Sequence, residues 1–197
     1  MDQKEFIKNY DFKFKKKFGQ NFLTDENVLT NIVKCSEIDK NTLVVEIGPG
    51  AGALTKKLVK VAKRVVAYEI DETLKPILDT IDADIIYGDF LKRNIKEDLS
   101  KYEYDKLYVV ANLPYYITTP ILTRIIECGI PVDKIVIMVQ KEVGDRLSSK
   151  PCSKDYNSLS IFVGYYYHVK KMFVVSKNVF IPKPNVDSIV ISLTKKN

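Results

Sequence analysis

Leu43-Val44-Val45-Glu46-Ile47-Gly48-Pro49-Gly50-Ala51-Gly52 is a short, largely β-branched run that breaks into a glycine-rich turn. A run of this length bounded by glycine and proline reads as a buried strand, and glycines at its end let the backbone turn tightly and approach a ligand closely. The same alternation repeats outward. Strands are predicted at 43–47, 65–70, 84–87, 107–111 and 134–139, with helical segments near 53–62, 72–80, 118–128 and 140–148 between them. Strand and helix in turn mean a parallel sheet covered on both faces, an α/β fold. Upstream, Thr24 or Asp25 can cap a helix that places Val28, Leu29, Ile32 and Val33 on one face. Beyond Pro151 the pattern changes to a polar loop, an apolar segment near 159–167 and two β-rich stretches near 169–175 and 186–194. The link Ser176–Asn185 is too short for a crossover, which needs a dozen or more residues, so these last two are expected to pair antiparallel.

At 197 residues and 46% hydrophobic, the chain suits one well-buried core, and a monomer is expected. The net charge of +6 favours polyanionic partners only mildly, because 25 acids stand against 31 Lys and Arg. Cys35, Cys128 and Cys152 have no paired spacing and His168 is the single histidine, which argues against a metal site, a histidine triad or a disulfide framework. Reduced thiols, no membrane-length apolar stretch and the acidic start Met1-Asp2-Gln3-Lys4-Glu5 point to a soluble, cytoplasmic protein. Residues 1–20 form a basic arm ahead of a single domain over 21–197. In the arm, Lys13, Lys15, Lys16 and Lys17 interleave with Phe12, Phe14 and Phe18. A lysine run is commonly a solvated tail; the aromatics favour an arm that orders on a nucleic-acid backbone.

A glycine loop alone does not separate a tight turn from a nucleotide site. The surroundings narrow the choice. Glu69 ends the second strand about twenty residues past the glycines, where an acid can accept from both ribose hydroxyls of a bound nucleoside. Gly88-Asp89-Phe90 ends the third, placing a carboxylate for an adenine amino group and a ring to stack on that adenine. Glu46 would repel a pyrophosphate and attract a sulfonium or an amino group, so S-adenosylmethionine is favoured over NAD. The fourth strand runs into Asn112-Leu113-Pro114-Tyr115. An amide oxygen, a backbone carbonyl and an aromatic face at the carboxyl end of a parallel strand suit a planar base with an exocyclic amino group. Taken alone, the four residues would pass for a strand-end turn with a structural proline.

Four stretches carry a resemblance over residues 13 to 197: Phe18-Gly19-Gln20-Asn21-Phe22-Leu23, Glu46 to Thr55, Asn112 to Pro120, and Phe180-Ile181-Pro182-Lys183-Pro184-Asn185-Val186-Asp187-Ser188. In this order they resemble the ribosomal RNA adenine dimethyltransferase family, whose members modify two adjacent adenines in the hairpin near the 3′ end of small-subunit ribosomal RNA. The resemblance implies a Rossmann-like S-adenosylmethionine-dependent methyltransferase fold with a mostly parallel seven-stranded sheet and an antiparallel C-terminal strand. It places Asn21 and Leu23 at the methionine end of the donor, Gly48 at the loop, Glu69 on the ribose, Asp89 on the adenine and Asn112 beside the reacting centre, with Glu46, Gly50 and Phe90 completing the expected donor-binding set. Asn112 and the Leu113 carbonyl are expected to accept the target amino group, with Tyr115 and Phe180 on the two faces of the base. Lys141, Arg146 and Lys183, with the arm lysines, are candidates for the RNA backbone of an immature small subunit.

A sister group of antibiotic-resistance methyltransferases acts on large-subunit RNA by the same chemistry; Pro49 and Leu113 favour the small-subunit branch. Family members continue into a small helical domain that helps dock the RNA, and this chain stops after its last expected strand. Other readings remain: a DNA or small-molecule methyltransferase, a non-catalytic assembly or transcription factor on the same fold, and a nicotinamide-dependent oxidoreductase.

Overall fold

The computed structural model describes residues 20–196. Its centre is a seven-stranded sheet in the order β4-β3-β2-β5-β6-β9-β7. The strands are β2 Thr42–Ile47, β3 Arg64–Glu69, β4 Asp84–Tyr87, β5 Lys106–Asn112, β6 Lys134–Gln140, β7 Tyr167–Val175 and β9 Ser188–Lys195. β2 pairs parallel with β3 and β5, β3 with β4, and β5 with β6, whereas β9 runs antiparallel to both β6 and β7. A separate two-stranded ribbon joins β1 Phe22–Leu23 to β8 Phe180–Ile181.

Every residue of β2 is buried, as expected of a strand covered on both faces. Side chains alternate across the sheet. Leu43, Val45 and Ile47 join Val109, Ala111, Ile121 and Ile125 in the core of one face, while Val44 joins Val110, Val136, Leu29, Ile32 and Leu58 in the other. The first face is covered by α5 Thr118–Glu127, α6 Lys141–Leu147 and α7 Ser158–Tyr166, the second by α1 Glu26–Ser36 and α2 Thr55–Val61. Asp25, rather than Thr24, caps α1: its Oδ1 accepts from the Val28 N–H at 2.9 Å.

The strand order reverses at β2. From there the chain moves through β3 and β4 to one edge and returns through β5 and β6 on the other side, so the carboxyl ends of β2 and β5 flank the crevice where ligands of such sheets bind. One local expectation is revised, and two segments without an assigned element are helical. The helix predicted over 72–80 is a 3₁₀ turn, Glu72–Leu74, followed by the single turn α3 Lys75–Leu78. A short helix, α4 Ile95–Leu99, follows β4 without a sequence expectation, capped by the Asn94 side chain. The apolar segment near 159–167 is the helix α7, whose Asn157 and Ser160 form a reciprocal cap.

Candidate functional site

A cleft opens at the switch point between the glycine loop after β2 and the Asn112–Tyr115 turn after β5. Its lining includes Gln20, Asn21, Phe22, Leu23, Glu46, Gly48, Gly50, Glu69, Asn112, Leu113, Pro114 and Tyr115. The loop reaches it through backbone that only glycine adopts without strain. Gly50 has φ +57°, and a Cβ there would stand 3.0 Å from the Phe22 ring; Gly52 has φ +78°, and its Cβ would stand 2.3 Å from Ile81 Cδ1.

Two carboxyl groups meet in this cleft. Glu46 is 1% exposed, and its Oε2 has no hydrogen-bond partner among the described residues. Burial, reinforced by the nearby Glu69, pushes its carboxyl up to about 8. Glu69, also buried, is raised to about 7 by desolvation, although it accepts from the Asp71 N–H at 2.8 Å and the Gly50 N–H at 3.1 Å. An acid raised by burial, with one oxygen unpartnered, has its charged form stabilised by a cationic ligand, so the residues present fit a sulfonium or ammonium donor and oppose a pyrophosphate.

The opposite wall holds the acceptor groups. Asn112 Nδ2 donates to the Asn21 backbone carbonyl at 3.2 Å. A carbonyl can only accept, so this bond fixes which end of the amide is nitrogen and leaves Oδ1 as an acceptor in the cleft. The Leu113 N–H donates to the Met138 carbonyl at 3.1 Å, which continues the β5–β6 ladder one residue into the turn and holds that backbone still. The Tyr115 hydroxyl shares a 2.7 Å hydrogen bond with the Ser188 hydroxyl at the start of β9.

The roof is the segment 20–24. Gln20 Nε2 donates to Asp71 Oδ2 at 2.7 Å, β1 pairs with β8, and the Thr24 backbone N–H and hydroxyl both donate to the Val179 carbonyl. Gln20, which the sequence assigns to the arm, is thereby packed with the domain. The arm lysines Lys13, Lys15, Lys16 and Lys17 lie outside the described residues.

Several expected site residues stand apart from this cleft. Phe180 is 3% exposed and does not line it; pairing opposite Leu23 in the β1–β8 ribbon turns its ring into the core with Val110, Met138 and Val190. Phe90 packs edge-on against Tyr68 with ring centroids 5.1 Å apart, and Asp89 accepts from the Leu91 N–H at 3.0 Å as the cap of a 3₁₀ turn. Neither lines the described cleft. Lys141 and Arg146 are each paired with an acid one turn away on α6, Asp145 and Glu142, at 2.8 and 2.9 Å. Lys183 is exposed. Sequence reasoning passed over Asp71 and Ser188. Asp71 carries no signal beyond its place after Glu69; Ser188 closes the fourth motif stretch, which was the available clue.

Residues 11–197 match the family model described as ribosomal RNA adenine dimethylase. The chain is 50% identical over 198 aligned positions to a ribosomal RNA small subunit methyltransferase A of Macrococcus caseolyticus, covering 97% of this chain and 67% of the relative. It is 51% identical over 197 positions to the protein of the same name from Staphylococcus aureus, covering 96% of this chain and 66% of the relative. The chain therefore spans about two thirds of the length of these relatives. Among solved structures, a dimethyladenosine transferase from Plasmodium falciparum superposes with a TM-score of 0.78 at 28% identity, covering 89% of this chain and 63% of that one.

Proposed function

Because the chain belongs to the ribosomal RNA adenine dimethylase family, we propose that it transfers methyl groups from S-adenosylmethionine to the exocyclic amino groups of two adjacent adenines. The substrate is the 3′-terminal hairpin of small-subunit ribosomal RNA, met in the cytoplasm by a monomer on an immature subunit. The observation that carries this reading is Asn112: its nitrogen is committed to Asn21 and its oxygen is left facing a cleft shared with the glycine loop and two buried acids.

The amino group of adenine is a weak nucleophile because its lone pair is delocalised into the ring. Asn112 Oδ1 and the Leu113 carbonyl accept its two N–H bonds and draw the nitrogen toward tetrahedral geometry, which frees the lone pair at no cost in rearrangement, since both acceptors are already held. Tyr115 lies against one face of the extruded base, and stacking worth roughly 1–3 kcal/mol offsets part of the loss of its neighbours in the RNA. Bound S-adenosylmethionine supplies an electrophilic methyl group on a sulfonium. Glu46 and Glu69 hold the positive and hydroxyl groups of that donor, Gly48 and Gly50 let the backbone close on it, and Asn21 and Leu23 cover its methionine end. Asp89 and Phe90 bound its adenine beyond the described cleft. No general base is required, because the proton can leave to solvent after the transfer. Lys183 and the arm lysines hold RNA phosphates, with Lys141 and Arg146 free to exchange their acidic partners for phosphate. The arm ahead of Gln20 serves the RNA and the domain from Gln20 onward the chemistry.

The 50% identity to a small-subunit enzyme, together with Pro49 and Leu113, favours this branch over large-subunit methylation. The test is to incubate the chain with labelled donor and unmethylated small subunits and map the modified nucleotides. Label on two adjacent adenines of the terminal hairpin is expected. Label elsewhere in the small-subunit RNA, or none, refutes the assignment.

A further inference from the structure

Ser188 has no assigned part in the site, yet the geometry points to it. It is fully buried at the carboxyl edge of the sheet, the first residue of β9, where it pairs with Gln140 of β6 on one side and Val175 of β7 on the other. A strand held on both edges is among the stiffest places in such a fold. Its hydroxyl is 2.7 Å from the hydroxyl of Tyr115. Tyr115 itself stands in a 3₁₀ turn, Tyr115–Ile117, which Pro114 does not cap and whose backbone the Thr118 hydroxyl holds by donating to the Pro114 carbonyl at 3.3 Å and the Tyr115 carbonyl at 3.5 Å. Those bonds fix the turn's backbone and leave the Tyr115 ring to be oriented by its own contacts. The phenol is held by burial of its ring and by this one side-chain hydrogen bond among the described residues, and the next residue, Tyr116, is 57% exposed and anchors nothing.

We propose that Ser188 is a positioning residue for methyl transfer, which sets the plane of the Tyr115 ring against the target base by tying its hydroxyl to β9. The proposal rests on the adenine methyltransferase reading above. It extends that reading from the acceptor groups of the Asn112–Tyr115 turn to the stacking face. Orientation matters here because the ring defines the plane in which the base lies. The Asn112 and Leu113 oxygens accept along fixed directions, and a base tilted away from them loses alignment with the donor methyl even while it stays bound. Removing the hydroxyl of Ser188 should therefore act on the chemical step more than on binding. Phe180, buried in the core, offers no second ring that could take over the task.

Five proteins test this: the unmodified chain, Ser188→Ala, Tyr115→Phe, the double variant, and Ser188→Thr as the conservative replacement that keeps the hydroxyl. Each is assayed for methyl transfer to unmethylated small subunits under single-turnover conditions, and for donor affinity by calorimetry, at a temperature well below the unfolding midpoint of the weakest variant. Expected is a three- to tenfold fall in the transfer rate of Ser188→Ala at saturating RNA, the range set by loss of one neutral hydrogen bond. The donor dissociation constant and the RNA concentration for half-saturation should stay within twofold, and Ser188→Thr should restore most of the rate. Tyr115→Phe keeps the stacking face and loses only the hydroxyl, so it should match Ser188→Ala, and the double variant should be no slower than either. A merely structural serine would lower the unfolding midpoint without this coincidence of rates. Additive losses in the double variant, or an unchanged rate in Ser188→Ala, would overturn the assignment while leaving the methyltransferase reading intact. Failure of the unmodified chain to methylate adenine at all would overturn both.

Discussion

Replacing Glu46 by glutamine separates what this residue does for the ligand from what it does to the fold. The carboxyl is 1% exposed with an unpartnered oxygen, and burial raises it from an ordinary value of 4.5 to about 8. Between those two values the unfolded chain has released the proton while the folded chain still holds it, so the folded state binds more protons and stability falls as pH rises. The loss begins above the unfolded value and levels off once pH passes the folded one. Over pH 5 to 8 it amounts to on the order of 3 kcal/mol. Glutamine is nearly isosteric and does not titrate. Whatever its amide costs in a site built for a carboxyl is the same at every pH, and Glu69 titrates in both proteins. The difference in unfolding midpoint between Glu46→Gln and the unmodified chain should therefore move in the variant's favour by several degrees, up to about 10 °C for a domain of this size, as pH goes from 5 to 8. Donor affinity should move the other way. The unmodified chain should bind S-adenosylmethionine more tightly at pH 8 than at pH 6 with release of a proton, and the variant should bind it weakly and with only the smaller dependence that Glu69 contributes. Thermal unfolding at intervals across pH 5–8 without donor, and calorimetry in buffers of different ionisation enthalpy with it, read both effects. A midpoint difference that stays constant within about 2 °C would refute the reasoning about Glu46.

Asn112→Ala should lower methyl transfer by well over tenfold, about 1.4 kcal/mol or more of barrier, with donor affinity nearly unchanged; a smaller loss in single-turnover assays would remove the amide from its role. Gly52→Ala should destabilise by about 1–3 kcal/mol in denaturant unfolding, because the position has φ +78° and its Cβ would stand 2.3 Å from Ile81 Cδ1; a stability within 0.5 kcal/mol of the unmodified chain would mean the loop adjusts freely. Replacing Lys13, Lys15, Lys16 and Lys17 by glutamine should flatten the salt dependence of RNA binding by roughly 0.7–0.9 in log–log slope per lost phosphate contact, while donor binding holds; identical slopes would make the lysine run a solvated tail.

Strand and helix periodicity was sufficient to predict the parallel strands of the sheet, since each is a short local run of largely apolar or β-branched residues between turn signals. β4 is predicted at 84–87 and found at Asp84–Tyr87, and β6 at 134–139 and found at Lys134–Gln140. The antiparallel last pair was legible from a link too short for a crossover, and the candidate site from strand ends that a reversing sheet must bring together. The tertiary structure decided what depends on residues far apart in the chain. The short ribbon of Phe22–Leu23 with Phe180–Ile181 has too few residues for any periodic pattern, and it is this pairing, across more than 150 positions, that roofs the cleft and turns Phe180 inward. The bond from Asn112 to the Asn21 carbonyl spans 91 positions and that from Tyr115 to Ser188 spans 73. A motif shows which groups are present. Which oxygen of a side chain is left over for a ligand depends on its other partners, and those are set only when the chain has closed on itself.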